Sequence, residues 1–259
     1  MQCVVTGASS GIGRAIAIRF ADEGAERVVV HFHRNREGAE QTAAAIRERH
    51  VRAEVVQADI RRAPDRAALC ERVFATTPRI DAFVHNAGAD VLTGAAAQWS
   101  FAEKLECLWE VDVAGTIALA RQVAEEMQQQ PAGPFAPALL FIGWDQAPAG
   151  MEGDAGQMFG PTKAAVMAFS RSLAQTLAPQ IRVNCIAPGW IQTAWGETAD
   201  EDWQHRARQQ ALMQRWGQPE DVAAAAAFLC RPTADFITGQ ILEVNGGWNR
   251  HPLNQPAPE

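Results

Sequence analysis

The sequence predicts an α/β fold, a single-domain, doubly wound parallel sheet of about seven strands with helices on both faces. Three observations predict it. Short Val- and Ile-rich runs alternate with longer stretches whose apolar residues recur at helical spacing. A glycine-rich segment, "TGASSGIG", joins the first such run to the first helical stretch. The length of 259 residues, 47% of them hydrophobic, suits one large core, so 1–259 reads as one domain.

Taken in order, the strand candidates are "QCVVTG", "RVVVHF", "AEVVQAD", "IDAFVHNAG", "PALLFIG", "IRVNCIAPG" and "GQILEVNGG". Between them, residues 11–24, 36–49, 64–76, 102–129, 159–178 and 218–230 carry helical apolar spacing. In "GQPEDVAAAAAFL", Pro219 falls in the first turn, and Glu220 and Asp221 sit at the positive end of the helix dipole, which marks a helix start. The Pro-rich, polar stretch 250–259 is expected to be a flexible tail. No repeat at solenoid periods is present.

A formal charge of −7 argues against a nucleic-acid or anionic-membrane surface and leaves a small molecule as the expected partner. No apolar run approaches the roughly 20 residues that span a bilayer. Met1 is followed directly by a strand-like segment with no basic or apolar leader, so a cytoplasmic location is expected. Cys3, Cys70, Cys107, Cys185 and Cys230 are odd in number and scattered, which implies reduced thiols and no metal site. His31 and His33 share one face of a strand, but without a third ligand they read as packing or adenosine contacts.

"VVTGASSGIGRAIA" sets Gly7, Gly11 and Gly13 between the first strand and the first helix. Glycines let the backbone turn tightly and approach a pyrophosphate, whose charge is met by free amides and the positive helix end. The spacing G-x-x-x-G-x-G differs from the commoner G-x-G-x-x-G. Its place at the first βα turn makes it a strong dinucleotide signal.

With these residues in view, the chain resembles the short-chain dehydrogenase/reductase family, whose fold is of the Rossmann type, over nearly its whole length. "TGASSGIG" is similar to the family's glycine motif, which implies that Gly7, Ser9, Ser10, Gly11, Ile12 and Gly13 contact the cofactor. Ala58-Asp59-Ile60 resembles the adenine-contacting turn, so Asp59 and Ile60 join the set. "HNAG" resembles the Asn-Asn-Ala-Gly turn, with His85 for the first Asn, and adds Asn86, Ala87 and Gly88. "APGWIQT" is similar to the segment that holds the nicotinamide carboxamide through Ile191 and Thr193, preceded by Pro188 and Gly189. "ITGQILEVNGGW" resembles the closing strand.

Cofactor choice follows from "VVVHFHRNRE" at the end of the second strand. No carboxylate for the ribose hydroxyls precedes Glu37, while Arg34 and Arg36, flanking Asn35, suit a 2′-phosphate. NADP(H) is favoured, with NAD(H) as the alternative. "HFHRN" is also similar to the corresponding turn of pteridine reductases, which are NADPH enzymes.

Family members move a hydride while a tyrosine hydroxyl handles the proton, helped by a serine, a lysine and an asparagine. Of these four, the resemblance finds only the lysine, Lys163 in "MFGPTKAAV". Phe159 stands at the tyrosine position and Asp112 at the asparagine position. Trp144 stands at the serine position, although the loop 145–158 is slightly long and Asp145 or Gln146 could be the counterpart. The chain contains no tyrosine. Loss of a general acid removes about 10²–10⁴ in rate, roughly 3–5 kcal/mol of barrier.

Three functions follow. The first is an oxidoreductase with a non-standard site, using Asp112, Asp145 or Asp154 as acid, or acting on a carbonyl, enone or iminium-type substrate that needs no slow protonation. The second is an inactive NADP(H)-binding sensor or scaffold. The third is a non-redox dehydratase or isomerase run by Asp112. Trp144, Trp190, Trp195 and Trp203 fall in segments that the family places around its substrate cleft, where indoles stack on flat rings or cations, or simply fill space. Residues 194–216 are expected to form a helical substrate lid. The resemblance implies a homo-oligomer, a dimer or tetramer built through 102–129 and 159–178.

Overall fold

The computed structural model describes residues 1–77 and 79–248; the expected tail at 250–259 lies outside the described residues. Seven strands form one sheet: β1 (Gln2–Val5), β2 (Arg27–Phe32), β3 (Arg52–Gln57), β4 (Ala82–His85), β5 (Ala138–Ile142), β6 (Arg182–Pro188) and β7 (Ile241–Val244). Their order is β3-β2-β1-β4-β5-β6-β7, and every pairing is parallel. Strands covered on both faces need apolar side chains on both, which is why β1, β2, β4 and β5 read as unbroken hydrophobic runs.

Alternation along the strands separates two cores. Val5, Val28, Val30, Val84, Leu140 and Ile186 meet α1 (Gly11–Asp22), α2 (Arg36–Arg47) and α9 (Pro219–Cys230). Val4, Val29, Phe83, Leu139 and Val183 meet α3 (Ala63–Ala75), α5 (Thr116–Gln129) and α6 (Gly153–Leu177). A helix rich in alanine can approach its neighbours closely, and α9 packs Ala223, Ala226 and Ala227 into the first core beside α1.

Three elements depart from the expected boundaries. The helix expected over 102–129 is α4 (Phe101–Leu108) and α5 joined by a π-helical turn, Trp109–Gly115. At Gly115 a Cβ would lie 3.0 Å from both the Glu110 and the Ile60 carbonyl oxygens, so glycine eases the close approach of this turn to the loop after β3. The helix expected from 159 begins six residues earlier, opened by Gly153 in the left-handed region. The segment 194–216 is helical in two pieces, α7 (Ala194–Thr198) and α8 (Glu201–Gln210), with Asp200 capping α8 through the Trp203 amide; 211–217 is irregular. Among the described residues, no helix is long and apolar enough to cross a membrane.

In such a sheet the connections from β1 and β4 leave in opposite directions. Sheets of this order take ligands in a crevice beyond the carboxyl ends of these two strands, a region bordered here by the turns that follow them.

Candidate functional site

Both turns bordering that crevice are built by a few hydrogen bonds. The Thr6 hydroxyl donates to the Val84 carbonyl (3.2 Å) and accepts from the Asn86 and Ala87 amides (3.0 Å each). The Asn86 carboxamide donates to the Thr6 and Gly7 carbonyls at 3.0 and 3.1 Å. The glycine turn and the "HNAG" turn are thus one rigid unit. Gly7 has φ +64°, and a Cβ on it would lie 2.8 Å from the Ala87 Cα; on Gly13 a Cβ would lie 2.3 Å from the Gly7 carbonyl oxygen.

Ser10 leads into α1 in extended conformation, its side chain makes no capping bond, and the first turn of α1 holds no acidic residue. That leaves the positive helix end without a carboxylate of its own, the arrangement an anion needs. Ser9 and Ile12 lie half-buried on the same segment, and Thr193 faces Gly11, where an added Cβ would come 3.5 Å from its methyl. Arg14 is committed to Ser9, Gly38 and Thr42 by hydrogen bonds, so it braces the glycine segment.

Beyond β2, the strand ends at Phe32, so His31 and His33 have different surroundings. His31 is 1% exposed; its Nδ1 accepts from the Gly7 amide (3.2 Å) and its Nε2 lies 3.1 Å from the Ala58 carbonyl oxygen. Burial pushes its pKa down to about 4. His33 is half exposed, 3.5 Å from Asp59. The Asp59 carboxylate takes hydrogen bonds from Arg61, which hold its pKa down to about 2. Asn35 caps α2 by accepting from the Gly38 amide (2.9 Å), and Ile60 is buried in the second core. Arg36 stacks over Phe32 and donates to Gln57, whereas Arg34 is exposed and, among the described residues, makes no side-chain hydrogen bond.

Near the carboxyl ends of β4 and β5, the structure brings Lys163 and Asp112 together. Lys163 Nζ lies 2.8 Å from Asp112 Oδ2, and Asp112 Oδ1 accepts from the Ala89 amide at 2.8 Å. The π-helical turn carries Asp112, which is 3% exposed; beside it, a Cβ on Gly88 would come 2.9 Å from Asp112 Oδ2. Phe159 is one helical turn before Lys163 on α6 and packs against the small cluster Val91, Leu108 and Met158. Trp144 follows Gly143 at the end of β5 and is half-buried.

Asp145 points elsewhere. Its Oδ2 accepts from Asn245 (3.1 Å), its Oδ1 is buried without a partner among the described residues, and burial pushes its pKa up to about 6. A carboxyl enclosed in this way is a packing group rather than an open proton donor. Gln146 is likewise buried, and Asp154 is exposed in the first turn of α6. His85 stacks on Phe141 at 4.7 Å, and burial pushes its pKa down to about 3. Pro188 and Gly189 close the end of β6, where Gly189 donates to the Val244 carbonyl. Ile191 pairs with Gly217 in an isolated bridge.

Trp190, Trp195 and Trp203 pack on one another, with ring centroids 5.4–6.2 Å apart, and are joined by Trp216, a ring the sequence reading did not single out. The Arg206 guanidinium lies 5.0 Å from the Trp203 ring and is paired with Glu152, tying α8 to the residue before α6. Trp144 makes no ring contact with this group among the described residues. No cluster of three or more potential metal ligands occurs among them, and the five cysteines are free thiols.

The family model described as enoyl-(acyl carrier protein) reductase matches residues 7–249. The chain is 30% identical over 246 residues to tropinone reductase-like 3 of Erythroxylum coca, covering 94% of this chain and 91% of that one. The chain belongs to the short-chain dehydrogenase/reductase family. Another relative in this family, 3-oxoacyl-[acyl-carrier-protein] reductase FabG of Aquifex aeolicus, is 30% identical over 251 residues, covering 94% of this chain and 95% of that one. The structure of 7α-hydroxysteroid dehydrogenase complexed with NADH and 7-oxo glycochenodeoxycholic acid matches with a TM-score of 0.84 and 31% identity, covering 96% of this chain and 95% of that one. Membership of the short-chain dehydrogenase/reductase family makes the chain an oxidoreductase of a family that binds NAD(P)(H).

Sequence reasoning missed Thr6, Arg14 and Arg206, whose roles depend on partners distant in sequence. Thr6 opens the glycine motif and could have been found from that place; the other two carry no such signal.

Proposed function

We propose that the chain is an NADP(H)-dependent reductase of a small carbonyl, enone or iminium-type substrate, working through a site that lacks the tyrosine acid. The observation that carries this reading is the ion pair of Lys163 with the buried Asp112 beside an intact glycine crevice. Lys163 is thereby held at the position where the family resemblance places the ribose-binding lysine.

The glycine turn suits a dinucleotide. Gly7 and Gly13 let the turn close tightly against Ala87 and Asn86, where a Cβ would clash, and the amino end of α1, with no carboxylate in its first turn, is ready for a pyrophosphate. Gly7, Ser9, Ser10, Gly11, Ile12 and Gly13 would hold the phosphates, and Asp59, Ile60, Asn86, Ala87 and Gly88 the adenosine side and the adjoining ribose. Pro188, Gly189, Ile191 and Thr193 would hold the nicotinamide. Arg34 is the free guanidinium for a 2′-phosphate, beside Asn35, and this favours NADP(H) over NAD(H). When bound, the cofactor supplies the hydride.

The chain's own residues then have separable tasks. Lys163 binds ribose and places a positive charge near the reacting oxygen. Asp112 holds Lys163 in position through one oxygen and is itself fixed by the Ala89 amide through the other. Phe159 and Trp144 offer apolar walls and no proton, so the proton for the product oxygen enters from water or from the Lys163–Asp112 pair. Residues 194–216, carrying Trp195, Trp203 and Trp216 packed around Trp190, form the lid that selects the substrate. Exposed Trp99, Phe101 and Trp109, in and just before residues 102–129, support a homodimer or tetramer assembled through that segment and 159–178.

A second reading is an inactive NADP(H) sensor or scaffold, favoured by the packing of Phe159 into an apolar cluster. NADPH oxidation in the presence of ketones, enones and iminium compounds separates the two. Turnover that is lost in Lys163→Met is expected, and a folded, cofactor-binding protein that oxidises NADPH with no member of the panel would leave the sensor.

A further inference from the structure

We infer that His31 is a positioning residue for the dinucleotide: its ring ties the turn after β1 to the turn after β3 and so fixes the spacing of two sides of the cofactor cradle. This rests on the reading of the crevice as a dinucleotide site.

In the sheet, β2 lies between β3 and β1, so a side chain at its carboxyl end can reach both flanking turns. His31 does so. Its Nδ1 accepts from the Gly7 amide at 3.2 Å, and its Nε2 lies 3.1 Å from the Ala58 carbonyl oxygen. An amide can only donate and a carbonyl can only accept, which assigns the hydrogen to Nε2. The main chain adds a third tie, from the Ala8 amide to the His31 carbonyl at 2.9 Å.

The Gly7 amide points toward the sheet, and His31 is the partner that satisfies it. Ala58 leads into the turn of Asp59 and Ile60. A shift of the ring would therefore move the glycine turn and the adenosine-side turn relative to each other. Rigid placement of binding groups matters because a loosely held cradle must be ordered at the cost of affinity.

The test compares His31→Leu, which fills similar volume without either bond, with His31→Asn, whose Oδ1 stands near the place of Nδ1 and keeps the Gly7 contact but is too short to reach the Ala58 carbonyl. For both variants with a native circular dichroism spectrum, the NADPH dissociation constant is expected to rise, about tenfold or more for His31→Leu and several-fold for His31→Asn, because neither joins the two turns. Wild-type affinity in folded His31→Leu overturns the proposal, and so does wild-type affinity in His31→Asn, which would show that the Gly7 contact alone suffices. Imidazole nitrogen NMR shifts of the unmutated protein, with and without NADPH, test the same arrangement should a variant fail to fold. Hydrogen on Nε2 in both states is expected, and hydrogen on Nδ1 overturns the proposal. Failure of the unmutated protein to bind NADPH or NADH would instead remove the underlying reading.

Discussion

The ammonium group of Lys163 lies 2.8 Å from the Asp112 carboxylate, across the interface between α6 and the π-helical turn of the preceding helix. Asp112 is almost fully enclosed and Lys163 partly so, which makes the pair sensitive to loss of either member. Asp112→Leu strands the lysine and is expected to cost about 2–3 kcal/mol, less than the loss of one ion from a fully buried pair because water still reaches Lys163. Asp112→Asn keeps an acceptor for the Ala89 amide and should cost about half as much. Thermal unfolding of both variants, and of the Asp112→Leu/Lys163→Met double variant, reads the coupling; the double variant should recover part of the loss.

Phe159 lies one turn before Lys163 on the same face of α6, so a hydroxyl added there comes close to the ammonium group. Phe159→Tyr with Trp144→Ser is expected to raise ketone-dependent NADPH oxidation by about 10² or more, the scale of a restored general acid. Phe159→Tyr alone should give much less if, as proposed, Trp144 walls the carbonyl side. Initial rates with a panel of ketones check both, and equal rates for the single and double variants would show that Trp144 is no obstacle.

Asp145 predicts a pH dependence of stability. Burial raises its folded-state pKa from 3.8 to about 6, opposed by the Asn245 hydrogen bond and aided by Glu243. The folded chain therefore holds a proton that the unfolded chain releases. The stability this gives is complete below about pH 4 and is lost as pH rises through about 6. Asp145→Asn removes the penalty, so at pH 7 it should be the more stable form by on the order of 1–3 kcal/mol, with the gap closing toward pH 4. Melting temperatures across that interval check the sign; a gap that widens as pH falls would contradict it.

Gly13→Ala places a methyl where the Gly7 carbonyl oxygen and the Asn86 carboxamide would each be 2.3 Å away, so the shared unit of the two turns must open. A loss on the order of 1–3 kcal/mol is expected, together with at least a tenfold weaker hold on NADPH. Gly24→Ala is the control: its left-handed φ makes it strained too, but it lies away from the crevice with nothing within 4 Å of an added Cβ, and it should leave cofactor affinity unchanged.

How much of this was legible in the sequence depends on the range of the interaction involved. The seven strands and the glycine turn could be read because their signals are local: continuous apolar runs for strands buried on both faces, and glycines at the first βα turn. The early start of α6 was missed because residues 153–158 carry little apolar spacing, and Gly153 opens the helix through a backbone angle that spacing does not reveal. The π-helical turn was hidden for a similar reason, since one extra residue in a turn leaves the apolar pattern almost intact. His31 was visible as a residue but not as a tie, because both of its partners belong to neighbouring strands' turns. Trp190, Trp195 and Trp203 fall in segments that the resemblance sets near a cleft, yet nothing local in the chain marks Trp216 as completing the group or Arg206 as packing over it.

The most direct test of the central claim is calorimetric titration of the unmutated protein with NADPH and, separately, with NADH. One saturable site per chain is expected, tighter for NADPH, with the preference narrowed in Arg34→Ala. Heats no larger than dilution for both nucleotides would contradict the account, because the crevice between the Gly7 and Asn86 turns would then hold no dinucleotide.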